Sequence, residues 1–202
     1  MVCWGAANSV LFDPKKTEAV RFSRSKLRTA PGLRRSEIVK HPEPTLCWLG
    51  IWLDSRLSFR IHVEKWAAKA QAIAYHLRGL THTKHGPLPS AVRRAVRVCV
   101  EPVLLYGSEA RYPGTTRLRW SQPTRDTPSS NQHLIQRLKK ALNQSMRAIL
   151  PVWKTTPITV LHRESGVPPI EQLLEARRLR FAARLKSLDD AHLLVKQTAP
   201  PH

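Results

Sequence analysis

The chain has 202 residues, with 34 Lys and Arg against 14 Asp and Glu, so its formal net charge is +20. That excess is too large for an ordinary soluble enzyme of neutral metabolites, and a polyanion is the expected partner. A hydrophobic fraction of 42% and six Trp exclude a disordered basic tail, and the length allows one domain or one and a half with a real core.

Several classes fall away on pattern. The longest apolar stretch, 98–106, is interrupted by Glu101 and Pro102, so no bilayer span and no membrane partner are expected. Positions 1–10 lack the basic and apolar regions of a secretory signal, which leaves a nuclear or cytoplasmic location as the expectation. Cys3, Cys47 and Cys99 are odd in number, far apart and outside any C-x-x-C pattern. They are expected to be reduced, mostly buried thiols, forming neither a disulfide framework nor a zinc knuckle. His76, His82 and His85 cluster, but no Cys or carboxylate stands beside them at ligand spacing, so no metal site is expected.

In chain order, 10–12 and 19–22 are short apolar or alternating runs around Asp13-Pro14-Lys15-Lys16, which predicts strand, turn, strand. Positions 24–40 are basic and aperiodic, with Pro31-Gly32 marking a loop. The dense apolar run 46–53 predicts a buried strand with a bend or hairpin at Gly50, Trp48, Leu49, Ile51, Trp52 and Leu53 being mostly core. From Ser58, a plausible N-cap, the period becomes helical: Phe59, Val63, Trp66, Ala70, Ile73, Leu77 and Leu80 predict a long amphipathic helix ended by Gly79 or Gly86. Pro89 opens a second helix through Val92, Val96, Val100 and Leu104, bent by Pro102. The Pro- and Thr-rich stretch 112–128 reads as loop. A third helix over 130–150 places Leu134, Leu138, Leu142, Met146 and Ile149 on one face. Thr156-Pro157 caps and starts a fourth, closed by Gly166, and Pro169 starts a fifth with Leu173, Leu174, Phe181, Leu185 and Leu188 as apolar positions.

Four segments in this order, FDPKKTEAVRFSR (12–24), WLGIWLDSRLSFRIHVEKWAAKA (48–70), LLYGSEARYPG (104–114) and KTTPITVLHRESGVPP (154–169), together resemble LINE-type, non-LTR retrotransposon reverse transcriptases, especially fungal ones. The resemblance implies an α+β fold, a small strand and hairpin remnant of a polymerase palm followed by a mainly helical thumb and connection bundle. It divides the chain into 1–57 (palm remnant with the fourth and fifth polymerase motifs), 58–111 (thumb-like helices), 112–129 (flexible loop) and 130–202 (connection-like helices). In that family the catalytic aspartates, including an F/Y-x-D-D turn, hold two divalent ions and lie upstream of the matching segments. Asp189-Asp190, the one adjacent acidic pair, stands in SLDDAH without an upstream aromatic and reads as a solvated helix end; Asp54 reads as a cap for the turn before the first long helix. No cofactor is therefore expected in this chain, Mg²⁺ belonging to the full-length family enzyme, and no polymerase activity alone.

By the same resemblance Lys16, beside Lys15, aligns with the lysine near the incoming nucleotide's phosphates, a latent role here; a surface lysine in a turn is the alternative. Gly50 aligns with the primer-grip hairpin, where it permits close backbone approach to nucleic acid. The expected nucleic-acid-binding groups are Lys15, Lys16, Arg21, Arg24, Gly50, Arg56, Arg60, Lys65, Arg137, Lys139, Lys140, Arg177, Arg178, Arg180 and Arg184, with Arg93, Arg94, Arg97, Arg147 and Lys186 also on helices. Few acids offset them at i+4, so the charge is not arranged for intrahelical pairing. Trp66 and Trp153 are conceivable stacking platforms, though Trp66 lies in phase with the core, and Tyr106 reads as packed.

The expected partner is an RNA/DNA template–primer duplex, together with a palm or RNase H portion of the same polyprotein. Two other readings stay open on sequence alone: an independent basic helical module for nucleic acid, and an interaction fragment docking on an acidic partner.

Overall fold

In a computed structural model the described residues are 7–9, 16, 18–23, 32–35, 38–81, 85–112, 114, 132–189 and 192–193. The expected strand at 10–12, nearly all of the loop 112–129, Cys3, His82 and Asp190 lie outside them. The fold is α+β, and the chain divides into two compact units, 1–62 and 63–202.

The first unit holds two separate antiparallel hairpins, β1 (Leu33–Arg35) with β2 (Ile38–Lys40) and β3 (Thr45–Trp48) with β4 (Ile51–Asp54). The first lies inside the stretch 24–40 that the pattern leaves without a predicted strand: Leu33 pairs with Lys40 and Arg35 with Ile38, a ladder whose three-residue strands are too short to show alternation among so many basic residues. The second is the hairpin expected at Gly50. Trp48 pairs with Ile51, leaving Leu49 and Gly50 as a two-residue turn with φ of 48° and 77°. Positive φ at both central positions is the arrangement that matches strand twist, and Gly adopts it without the penalty a Cβ brings. The expectation that this run is mostly core is corrected: Trp48 is 61% and Leu49 73% exposed, and Ile51, Trp52 and Leu53 are half-buried. A two-stranded hairpin has no second layer of its own to bury both faces. Instead of the predicted strand at 19–22 there is an isolated parallel bridge between Val20 and Glu43, with the Glu43 N–H donating to the Ala19 carbonyl at 2.8 Å.

The entry to the first helix follows from Asp54. Its carbonyl accepts the Leu57 N–H at 2.9 Å and its Oδ1 the Phe59 N–H at 3.1 Å, holding two residues whose φ values are 53° and 55°. Ser58 Oγ accepts the Arg60 N–H at 3.4 Å, a long cap. Helix α1 (Arg60–Leu80) starts there. His62, 1% exposed, accepts the Trp52 N–H on Nδ1 at 3.3 Å, which fixes the ring as the Nε2–H tautomer and satisfies an edge donor of β4.

Farther along α1 the buried line runs through Val63, Ala67, Ala70 and Ala74, with Trp66, Ile73 and Leu77 half-buried beside it and Leu80 exposed. The predicted stripe is thus turned by about one position, and small side chains sit at its centre. Gly79 lies inside the helix, one residue before its end. Pro89 is the first residue of α2 (Pro89–Ala95), which passes into a π-helical turn, Val96–Val100, then α3 (Glu101–Leu104) and α4 (Ser108–Arg111). Pro102 cannot donate to the carbonyl four residues back, and its ring crowds that carbonyl. The chain widens ahead of it: the Glu101 N–H reaches the Val96 carbonyl five residues back.

Helix α5 (Gln132–Ile149) buries Leu134, Leu138, Leu142, Met146 and Ile149, all 4% exposed or less, as predicted. It packs against α2, the π-turn, α6 (Ile158–Ser165) and α7 (Ile170–Lys186). Gly166, left-handed at φ 63°, closes α6, its N–H donating to the His162 carbonyl at 3.1 Å. Pro157 and Pro169, not Thr156, are the cap residues of α6 and α7, and neither helix has a side-chain cap bond. On α7, Leu174 is buried, but Phe181 is 40% exposed, against its place in the predicted apolar set. Side chains from 63–112 and from 134–174 form one hydrophobic cluster. Cys47 and Cys99 are exposed free thiols, not buried ones.

Because α5 supplies the largest share of that cluster, Leu138→Ala is expected to lower the unfolding free energy by about 2–5 kcal/mol, and Val98→Thr, at a position 65% exposed, by less than about 0.5 kcal/mol. Urea denaturation followed by circular dichroism reads both.

Candidate nucleic-acid interface

The helical unit divides its cations into two populations. Arg93 and Arg97, one turn apart, donate through Nη2 to the Glu164 and Gly166 carbonyls, each at 3.1 Å. Both neutralise the negative end of α6 and satisfy carbonyls that a helix terminus leaves open. Arg147 does similar work on the segment after α5, with Nη1 2.7 Å from the Trp153 carbonyl and Nη2 3.3 Å from that of Thr156. Arg111 donates to the Leu104 carbonyl at 3.3 Å; burial pulls its guanidinium down to about 10, against the attraction of Glu109.

Other cations tie helices together. Arg137 pairs with Glu64 at 3.2 Å, α5 to α1; Lys139 with Glu171 at 2.5 Å, α5 to α7; and Arg177 with Glu109 at 2.6 Å, α7 to α4. Within α7, Arg178 grips Glu175 in a charge-assisted contact that raises its own pKa. Burial pushes the Glu109 carboxyl up, but the Arg177 hydrogen bond, its own backbone and the guanidinium charge outweigh it, and the net shift is downward. Of the sequence-predicted groups, therefore, Arg137, Lys139 and Arg177 brace the bundle, and Arg178 is engaged within α7.

The second population has no ion pair among the described residues and includes Arg94, Arg180, Arg184 and Lys186, all exposed, together with Arg78, Lys140 and Lys154. The last three converge on a groove of about 610 Å³ formed by α1, α5 and the segment after α5. Tyr75 and Arg78 line it from α1; Gln136, Lys140, Asn143, Gln144 and Arg147, with Lys139, line it from α5; and Val152 and Lys154 complete it. No acid lines it. Gln144 Nε2 is buried there without a hydrogen-bond partner. The spacing 136, 140, 143, 147 is a polar helical stripe legible in the sequence, but Arg78 and Lys154 come to it only through tertiary packing and were missed.

The remaining expected residues stand elsewhere. Lys15 and Arg24 lie outside the described residues. Lys16, Arg21, Arg56 and Arg60 are exposed in the first unit, Gly50 is at the β3–β4 turn, and Lys65 is exposed on α1. Trp66 stacks on Tyr106 with centroids 4.6 Å apart and carries the Lys69 ammonium 4.9 Å from its ring, so it already has partners. Trp153 is 85% exposed. Among the described residues no group of three or more His, Cys, Asp or Glu could hold a metal ion. Among those residues no helix is long and apolar enough to cross a membrane.

The chain is similar to a protein of Drosophila melanogaster described as "Probable RNA-directed DNA polymerase from transposon BS", with 29% identity over 177 residues. The match covers 86% of this chain and 18% of that protein, so the chain spans less than a fifth of the relative's length. No family model matches, and no solved structure matches.

If Arg177 is a brace, Arg177→Met lowers the unfolding free energy by on the order of 1 kcal/mol at neutral pH, whereas Arg184→Gln changes it by less than about 0.5 kcal/mol. The sign with pH follows from the lowered Glu109 pKa: its contribution is full above the ordinary carboxylate value of 4.5 and disappears as pH falls through the lowered one. The wild type and Arg177→Met should then converge in acid, as denaturation midpoints against pH will show.

Proposed function

We propose that this chain is a portion of the RNA-directed DNA polymerase of a LINE-type, non-LTR transposable element, the part downstream of the catalytic turn that holds the template–primer. The observation that carries the reading is the similarity to the transposon polymerase along most of this chain. The motif order and the unpaired cations of the helical unit support it independently. On this reading the palm-like 1–57 contributes the Gly50 hairpin and Lys16, and the helices act as thumb and connection, contacting the phosphate backbone with little regard to sequence.

Its chemistry is binding and positioning. Arg180 and Arg184 offer charge to phosphate without first giving up an internal ion pair. Arg137, Lys139 and Arg177 act indirectly, by keeping the helices in place. Mg²⁺ in the whole polymerase would activate the primer 3′ hydroxyl, but this sequence has no F/Y-x-D-D turn to receive it.

The chain should bind an RNA–DNA hybrid with similar affinity across unrelated sequences, measured by fluorescence anisotropy, and should give no product in primer extension with Mg²⁺. Absence of hybrid binding at low salt contradicts the binding role; extension above background contradicts the absence of a catalytic centre.

A further inference from the structure

We propose that the groove between α1 and α5 seats a single strand of nucleic acid, apart from any duplex held elsewhere on the chain. The inference deepens the polymerase reading by naming the ligand of one site, and it rests on that reading.

Four features of the groove point to a strand. Five cations line it and no acid does, so its field attracts an anion. Of these, Lys139 is engaged by Glu171 and Arg147 by the Trp153 and Thr156 carbonyls, which leaves Arg78, Lys140 and Lys154 for phosphates. The wall between them is amide-rich: Gln136, Asn143 and Gln144 offer donors and acceptors together, and the buried Nε2 of Gln144 lacks a partner within the protein. A buried unsatisfied amide is costly, and a turn of the Gln144 side chain toward the groove would let a base edge or phosphate oxygen satisfy it. Finally, aromatic surface is at hand. Tyr75, 53% exposed, lines the groove, and Trp153, 85% exposed, stands between two lining residues with its carbonyl fixed by Arg147.

Shape decides between strand and duplex. A duplex is read by protein elements that protrude into its grooves or track its rounded surface. This site is itself concave, about 610 Å³, within the size range of pockets that enclose small ligands. Cations for the backbone, amides for base edges and exposed aromatics for stacking are the combination that recognises unpaired nucleotides. A polyanion without bases would use the lysines and leave the amides and rings idle.

The test compares the full chain with Lys140→Gln/Lys154→Gln and with Gln144→Leu, using fluorescence anisotropy on twelve-nucleotide rU and dT strands, a twelve-base-pair RNA–DNA hybrid, and polyglutamate as competitor. Thermal melting checks that each variant is folded. The double variant should weaken strand binding by about tenfold or more and reduce its log–log salt slope by about 1.4, two phosphate contacts at about 0.7 each, while hybrid affinity changes less than threefold. Gln144→Leu should weaken the strand without changing the slope. Whether rU or dT binds more tightly identifies the strand as RNA or DNA. Equal losses on strand and hybrid, no loss on the strand, or competition by polyglutamate as effective as that of unlabelled strand each overturn the proposal. A wild-type chain that binds hybrid but neither strand overturns this proposal alone; one that binds none of the probes overturns the polymerase reading with it.

Discussion

The buried stripe of α5 is the constraint on which the helical unit depends. Leu134, Leu138, Leu142, Met146 and Ile149 recur at three- and four-residue steps, and each is almost wholly removed from water. Once that face is committed inward, the opposite face carrying Gln136, Lys140, Asn143 and Arg147 must lie outward. The same packing sets α2, the π-turn, α6 and α7 around α5. Core and groove are two faces of one helix, and neither can be rebuilt without disturbing the other.

A chain of net charge +20 has to fold against its own repulsion. It does so in part by placing three of its 14 acids between helices, where Glu64, Glu109 and Glu171 each bind a cation of another helix. Backbone carbonyls at helix ends accept more, from Arg93, Arg97 and Arg147. What remains unpaired is a smaller and better-placed set of cations than the total charge implies. Solvent screening limits the strength of each partly exposed pair, so the braces matter as a network more than singly.

Helix positions were legible in the sequence where periodicity ran long: α5 and α7 begin within two residues of expectation, and α6 ends at the predicted Gly166. Asp54 was legible too, because a carboxylate just ahead of a helical pattern has an obvious backbone donor to hold. The β1–β2 hairpin was not, since Leu33–Arg35 and Ile38–Lys40 are too short and too basic to show a period of two. Apolar character predicts burial of Trp48 and Leu49, but a hairpin tip has nothing of its own to pack on, and both are exposed. Most of all, sequence could list arginines but not say which face an acid. Arg177 and Arg180 look alike in the chain, and only the fold brings Glu109 to the first. Arg78 and Lys154, far apart in sequence, became a site only when α1 and α5 were seen to share a groove.

The proposed binding role and the observed bracing thus fall to different cations of similar chemistry. The salt dependence of hybrid affinity tests this division most directly, because the slope counts phosphate contacts and is insensitive to modest losses of stability. Neutralising Arg180 and Arg184 should reduce the log–log slope by about 2, at about 0.9 per contact, while neutralising Arg177 and Arg178 should leave the slope of the folded protein unchanged and lower its stability. A slope that falls when Arg177 and Arg178 are neutralised, or holds when Arg180 and Arg184 are, would contradict the division.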